Sequence, residues 1–69
     1  MPRVSTTPET YTETYTVKFW YTSTEGFRRQ HCKDFYSNSK SNHKAVEKYA
    51  ESTLKKIYKN LEIISVIYN

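Results

Sequence analysis

His31 and Cys32 are neighbours in the chain, Asp34 follows two residues later, and His43 lies beyond them. These residue types could build a thiol nucleophile with an imidazole base. Such a pair must lie within hydrogen-bond reach, whereas adjacent residues on a strand point to opposite faces. His43 could approach Cys32, but nothing in the sequence supplies an oxyanion hole or a deep pocket. Asp34 and the six glutamates are scattered, so no paired-carboxylate site forms either. A structural zinc site needs about four converging ligands, usually in paired spacings, and those spacings are missing. The expectation is a protein without catalytic residues, metal, cofactor or small-molecule substrate.

A second group of residues suits binding. Trp20, Tyr21, Phe27, Arg28 and Arg29 mix rings with cations. Rings of this kind stack on bases while arginines meet phosphates. The chain lacks the RNP-type signature of an RNA-recognition sheet and any glycine-rich backbone loop. Its net charge of +4 and pI of about 9.3 are a moderate excess that favours an anionic partner only slightly.

Positioning these residues falls to four elements. Tyr11, Glu13, Tyr15, Val17, Phe19 and Tyr21 alternate with Thr12, Thr14, Thr16, Lys18, Trp20 and Thr22. That period of two, rich in aromatic and β-branched residues, predicts a strand. Ser23-Thr24-Glu25-Gly26 interrupts it, with the sole glycine placed where a hairpin needs a left-handed residue. A second strand runs from about Phe27 to Tyr36. Its alternation is poorer, and either Arg28, Cys32 and Tyr36 or Arg29, His31 and Lys33 could share a face with Trp20. Inward charge of this sort suits a sheet edge, and a bulge could switch the phase.

Ser37 to Asn42 reads as a polar turn ending in the N-cap candidates Ser41 and Asn42. A helix from about His43 to Lys59 follows, with Val46, Tyr49, Ala50, Thr53, Leu54, Ile57 and Tyr58 on one stripe. Asn60 is its C-cap candidate. Leu61 to Tyr68, apolar on both faces, forms the closing strand. Residues 1–10, rich in Thr and Pro, read as a disordered tail, and 11–69 as a single domain.

The predicted fold is therefore α+β with a ββαβ layout. Three antiparallel strands take the order 2-1-3, with one amphipathic helix packed on one face. A 69-residue domain has a thin core and is often reinforced by a disulfide, a metal or another subunit. Cys32 is alone, so no internal disulfide exists. The reinforcement left to consider is self-association or a partner protein.

The sheet face away from the helix is the natural place for either. Lys18, Trp20, Arg28, Arg29, Tyr36, Ile64 and Val66 are the expected partner-binding residues. Exposed apolar patches of this kind tend to mark interfaces.

The hairpin-helix-strand layout resembles that of small accessory proteins of phages and other mobile elements. That resemblance implies an inhibitor or regulator that binds one host protein in the host cytoplasm. The run from Ser39 to Lys59 also resembles the last helix of double-stranded-RNA-binding domains. That family's glycine-containing loop, paired-lysine start and first helix are missing here. A lone thiol and the lack of an apolar leader or membrane-length run make a cytoplasmic location the expectation. The leading functional expectation is a non-enzymatic protein-binding regulator, with homodimerisation as one mode. The alternative is a small basic nucleic-acid-binding protein.

Overall fold

Alternating tyrosines and threonines form a strand because one row can be buried while the other stays at the surface. In the computed structural model, which describes residues 3–8 and 11–69, that strand is β2, Glu13–Thr22. It follows β1, Val4–Ser5, and precedes β3, Arg28–Ser37. Helix α1 spans His43–Leu54, and β4 spans Lys59–Tyr68. All pairings are antiparallel, in the order β1-β3-β2-β4.

The α+β class and antiparallel sheet match the sequence expectation, but the sheet has four strands rather than three. The extra strand comes from the segment read as a tail. Val4 pairs with Ser37 and Ser5 with Tyr36, and Val4 also packs against the core. Polar contacts hold it there. The Ser37 hydroxyl donates to the Arg3 carbonyl at 2.7 Å, and the Arg3 N–H donates to Asn38 Oδ1 at 3.1 Å. Ser37 is fully buried, so its hydroxyl requires such partners. The rest of the tail reading, at residues 1, 2, 9 and 10, lies outside the described residues.

The core is one layer between sheet and helix. Tyr15, Val17 and Phe19 from β2 and Phe35 from β3 meet Val46, Ala50 and Leu54 from α1, all fully buried. The helix is shorter than its periodicity suggested, ending at Leu54 instead of Lys59. Its last carbonyl, at Leu54, accepts from Ile57 N–H at 3.0 Å and Tyr58 N–H at 2.8 Å. Lys59 already faces Thr22 in the sheet, so strand pairing overrides the helical preference of Lys55 to Tyr58. Asn60 consequently sits inside β4 with φ 54°, not at a helix C-cap.

Asn42 precedes the helix, but its side chain does not cap it. Its amide donates instead to Ser37 Oγ at 2.7 Å and Asn38 Oδ1 at 2.9 Å. Its backbone N–H donates to the Tyr15 hydroxyl at 2.9 Å, and that hydroxyl donates to the Ser39 carbonyl at 2.6 Å. A buried tyrosine thus fixes the loop between β3 and α1. At the opposite end Gly26, with φ 90°, closes the β2–β3 hairpin by donating to the Ser23 carbonyl at 2.9 Å.

Candidate functional site

Pairing between β2 and β3 is unbroken from Glu13–Ser37 to Thr22–Arg28, which settles the phase of β3. Phe35 enters the core opposite Tyr15, and this sends Lys33, His31 and Arg29 to the helix side as well. The other face receives Arg28, Gln30, Cys32, Asp34 and Tyr36, opposite Thr22, Trp20, Lys18, Thr16 and Thr14. On β4, Glu62, Ser65 and Ile67 stand opposite Trp20, Lys18 and Thr16.

This open face brings together Lys18, Trp20, Arg28 and Tyr36. It excludes two of the expected residues. Arg29 lies on the helix side beside Tyr21, and Val66 pairs with Val17 and packs against the core. The cause at Val66 is a bulge. Lys18 faces Ser65 while Phe19 faces Ile63, so Ile64 is an inserted residue and the alternation of β4 reverses across it. Ile64 itself remains 42% exposed.

Near the hairpin end of the open face Arg28 reaches across β2. Its guanidinium lies 5.8 Å from the Trp20 ring centroid. One nitrogen donates to the Asn60 carbonyl at 3.0 Å and the other to Glu62 Oε1 at 3.2 Å. Both charged partners are solvent-exposed, so this ion pair orders the surface more than it stabilises the fold. Further along, Thr16 Oγ1 donates to Asp34 Oδ1 at 3.1 Å and accepts from Asn69 Nδ2 at 2.7 Å. Within the body of the face Lys18 and Arg28 are offset by Asp34 and Glu62, while Lys59, opposite Thr22, adds a cation at the hairpin end. No described element packs on it.

The positive excess lies on the helix side. Arg29, His31 and Lys33 form an exposed row on β3, beyond the edge of the short helix. Beside them Phe19, Tyr21, His31 and Tyr58 make a ring cluster: Tyr21 and Tyr58 are 4.6 Å apart, and Phe19 and His31 5.7 Å. An open cleft of about 570 Å³ adjoins it, lined by Tyr21, Glu25, Arg29, Ile57, Tyr58 and Lys59 among others. Sequence reasoning missed this cleft because Ile57 and Tyr58 were counted within the helix. The shared parity of Tyr21, Arg29 and Phe35 was the available signal.

His31 and Cys32 point to opposite faces, and His43 packs edge-on to Tyr15 at 5.1 Å. Among the described residues no three His, Cys, Asp or Glu side chains converge as metal ligands. At the far end of the sheet the Tyr68 hydroxyl donates to Glu13 in a short hydrogen bond. That bond to a carboxylate, with a smaller contribution from desolvation, holds the Tyr68 phenol above its ordinary pKa. Among the described residues no helix is long and apolar enough to cross a membrane. No family model, curated protein or solved structure matches the chain.

Proposed function

We propose that this chain is a small non-enzymatic binding protein, an inhibitor or regulator that engages a partner protein through its open sheet face. The observation that supports this reading is the combination of neutrality and vacancy on that face. Trp20 lies near the hairpin end of the face against Arg28, and Lys18, Ile67 and the Tyr36 ring follow along the same face with short threonines between. Neutral faces with an aromatic anchor suit protein partners better than phosphate backbones. Affinity purification with four chains tests it. Wild type and the helix-side variant Lys48→Glu should retain a common protein partner, and the folded variants Trp20→Ala and Thr16→Arg should lose it. Retention of that partner by both open-face variants would sink the reading.

A second reading, nucleic-acid binding, is favoured by one observation: the Arg29–His31–Lys33 row beside the Tyr21 and Tyr58 rings. It moves the basic-aromatic surface from the open face to the helix side. An oligonucleotide bound there should be released steeply as salt rises. Arg29→Ala and Lys33→Ala should weaken it while Lys18→Ala does not.

A further inference from the structure

The two long edges of the sheet differ in how they are guarded. The outer edge of β3 is paired with β1 only at Tyr36 and Ser37, and its free part carries Arg28, Arg29, His31 and Lys33. Two such edges would repel, and clustered charge is a common protection against edge pairing. Among the described residues, the outer edge of β4 has no partner over its ten residues. It holds one cation and one acid, Lys59 and Glu62, on a chain of net charge +4. Ile64, Ile67 and Tyr68 are 42%, 53% and 38% exposed, half of the large apolar side chains left at the surface.

We propose that β4 pairs antiparallel with β4 of a second copy of this chain, about a two-fold axis between Ile64 and Ser65. The occupant follows from the bulge. In an edge pair related by an axis perpendicular to the sheet, opposed residues must point to the same face. Leu61, Ile63, Val66 and Tyr68 point to the helix side, and Glu62, Ser65 and Ile67 to the open side. Because Ile64 is inserted, an axis through a single central residue such as Ile64 would set core-facing residues against open-facing ones. An axis between Ile64 and Ser65 instead matches every position from Leu61 to Tyr68 outside the central pair. Leu61 meets Tyr68 of the second copy, Ile63 meets Val66, and Glu62 meets Ile67. Bulges normally turn an edge away from pairing; this one makes the strand complementary to itself.

The product is an eight-stranded sheet with both helices on one side and the two open faces joined on the other. The pairing closes on itself, so it makes a dimer and not a fibre. It does not rest on the open-face reading, since Trp20 lies away from the axis on β2 and takes no part.

Light scattering after size exclusion, with reductant present so that Cys32 cannot cross-link, tests the pairing. The expected mass at high concentration is twice the 8.3 kDa of one chain. Ile67 faces Glu62 of the second copy, so charge at 67 reads the register. Ile67→Glu sets two like-charge pairs across the axis and should raise the dissociation constant about 2- to 30-fold. Ile67→Lys loses the same apolar side chain but gains two opposite-charge pairs, and should dimerise more tightly than Ile67→Glu. Trp20→Ala should leave the dimer unchanged. A monomer at every concentration, or equal dimerisation by the Glu and Lys variants, overturns the proposal.

Discussion

Replacing Tyr15 by Phe removes one oxygen and keeps the ring that fills the core. That oxygen has two partners from the loop between β3 and α1: it donates to the Ser39 carbonyl at 2.6 Å and accepts from the Asn42 N–H at 2.9 Å. Each hydrogen bond contributes about 1 kcal/mol net, and an abandoned buried partner costs about 1–3 kcal/mol. Both partners lie near enough to the surface for water to recover part of the loss. The expected destabilisation is therefore about 1–3 kcal/mol. For a domain of this size that lowers the melting temperature by roughly 4–8 °C per kcal/mol. Urea unfolding gives the free energy, and hydrogen exchange gives the location. The Asn42 amide should lose protection while the Val17 and Phe19 amides change only with global stability. A loss below about 0.5 kcal/mol, with Asn42 still protected, would refute the idea that this hydroxyl anchors the loop.

Leu54→Ala should cost about 2–5 kcal/mol, because Leu54 is fully buried at the end of the helix. A 69-residue domain holds only about 3–10 kcal/mol, so calorimetry should find the variant partly unfolded at physiological temperature. Gly26→Ala should cost about 1 kcal/mol in urea unfolding. No atom lies within 4 Å of an added Cβ, so the penalty comes from φ 90° alone, and Asn should recover part of it. Arg28→Ala should change stability by less than about 1 kcal/mol yet expose the Trp20 ring to acrylamide quenching; unchanged quenching would show that Arg28 does not cover it. Tyr68 has a folded-state pKa raised above its unfolded value, so its bond to Glu13 stabilises the fold below the ordinary tyrosine range. That contribution disappears as alkaline pH passes through the raised value. Glu13→Gln should bring the Tyr68 ring titration, followed by NMR, back down toward its ordinary position.

The layout was legible because β2 alternates cleanly and Val46, Ala50 and Leu54 recur at helical spacing. Those patterns express the burial of one face against one stripe, which is a property of the chain itself. What could not be read depended on pairing. The helix stops at Leu54 because β4 must begin opposite Thr22, and no local residue marks that point. Val4–Ser5 joins the sheet because Ser37 and Asn38 bind Arg3, a contact spanning 34 residues for Ser37 and 35 for Asn38. Val66 was placed on the wrong face because the bulge at Ile64 reverses the alternation, and four consecutive apolar or small residues hide such a shift. The sequence leaves open whether Arg28, Cys32 and Tyr36 or Arg29, His31 and Lys33 share a face with Trp20, and only the uninterrupted β2–β3 pairing brings Lys18, Trp20, Arg28 and Tyr36 together.

One residue, Phe35, decides how charge is divided over the molecule. By entering the core it directs Arg29, His31 and Lys33 to the helix side and leaves Arg28 as the one β3 cation on the face of Trp20. A slip of one residue in β3 would have done the reverse, giving the open face three cationic or titratable side chains. The short helix then makes the arrangement tolerable, because it ends before covering that row and the cations stay in water. The two proposed modes, protein binding on the neutral face and anion binding on the basic row, thus map to opposite sides of one sheet. Single substitutions can separate them: Trp20 reports on one side and Arg29 on the other. Binding lost through both residues together would require a partner that wraps the β2–β3 hairpin, where Phe27 is 64% exposed between the two faces.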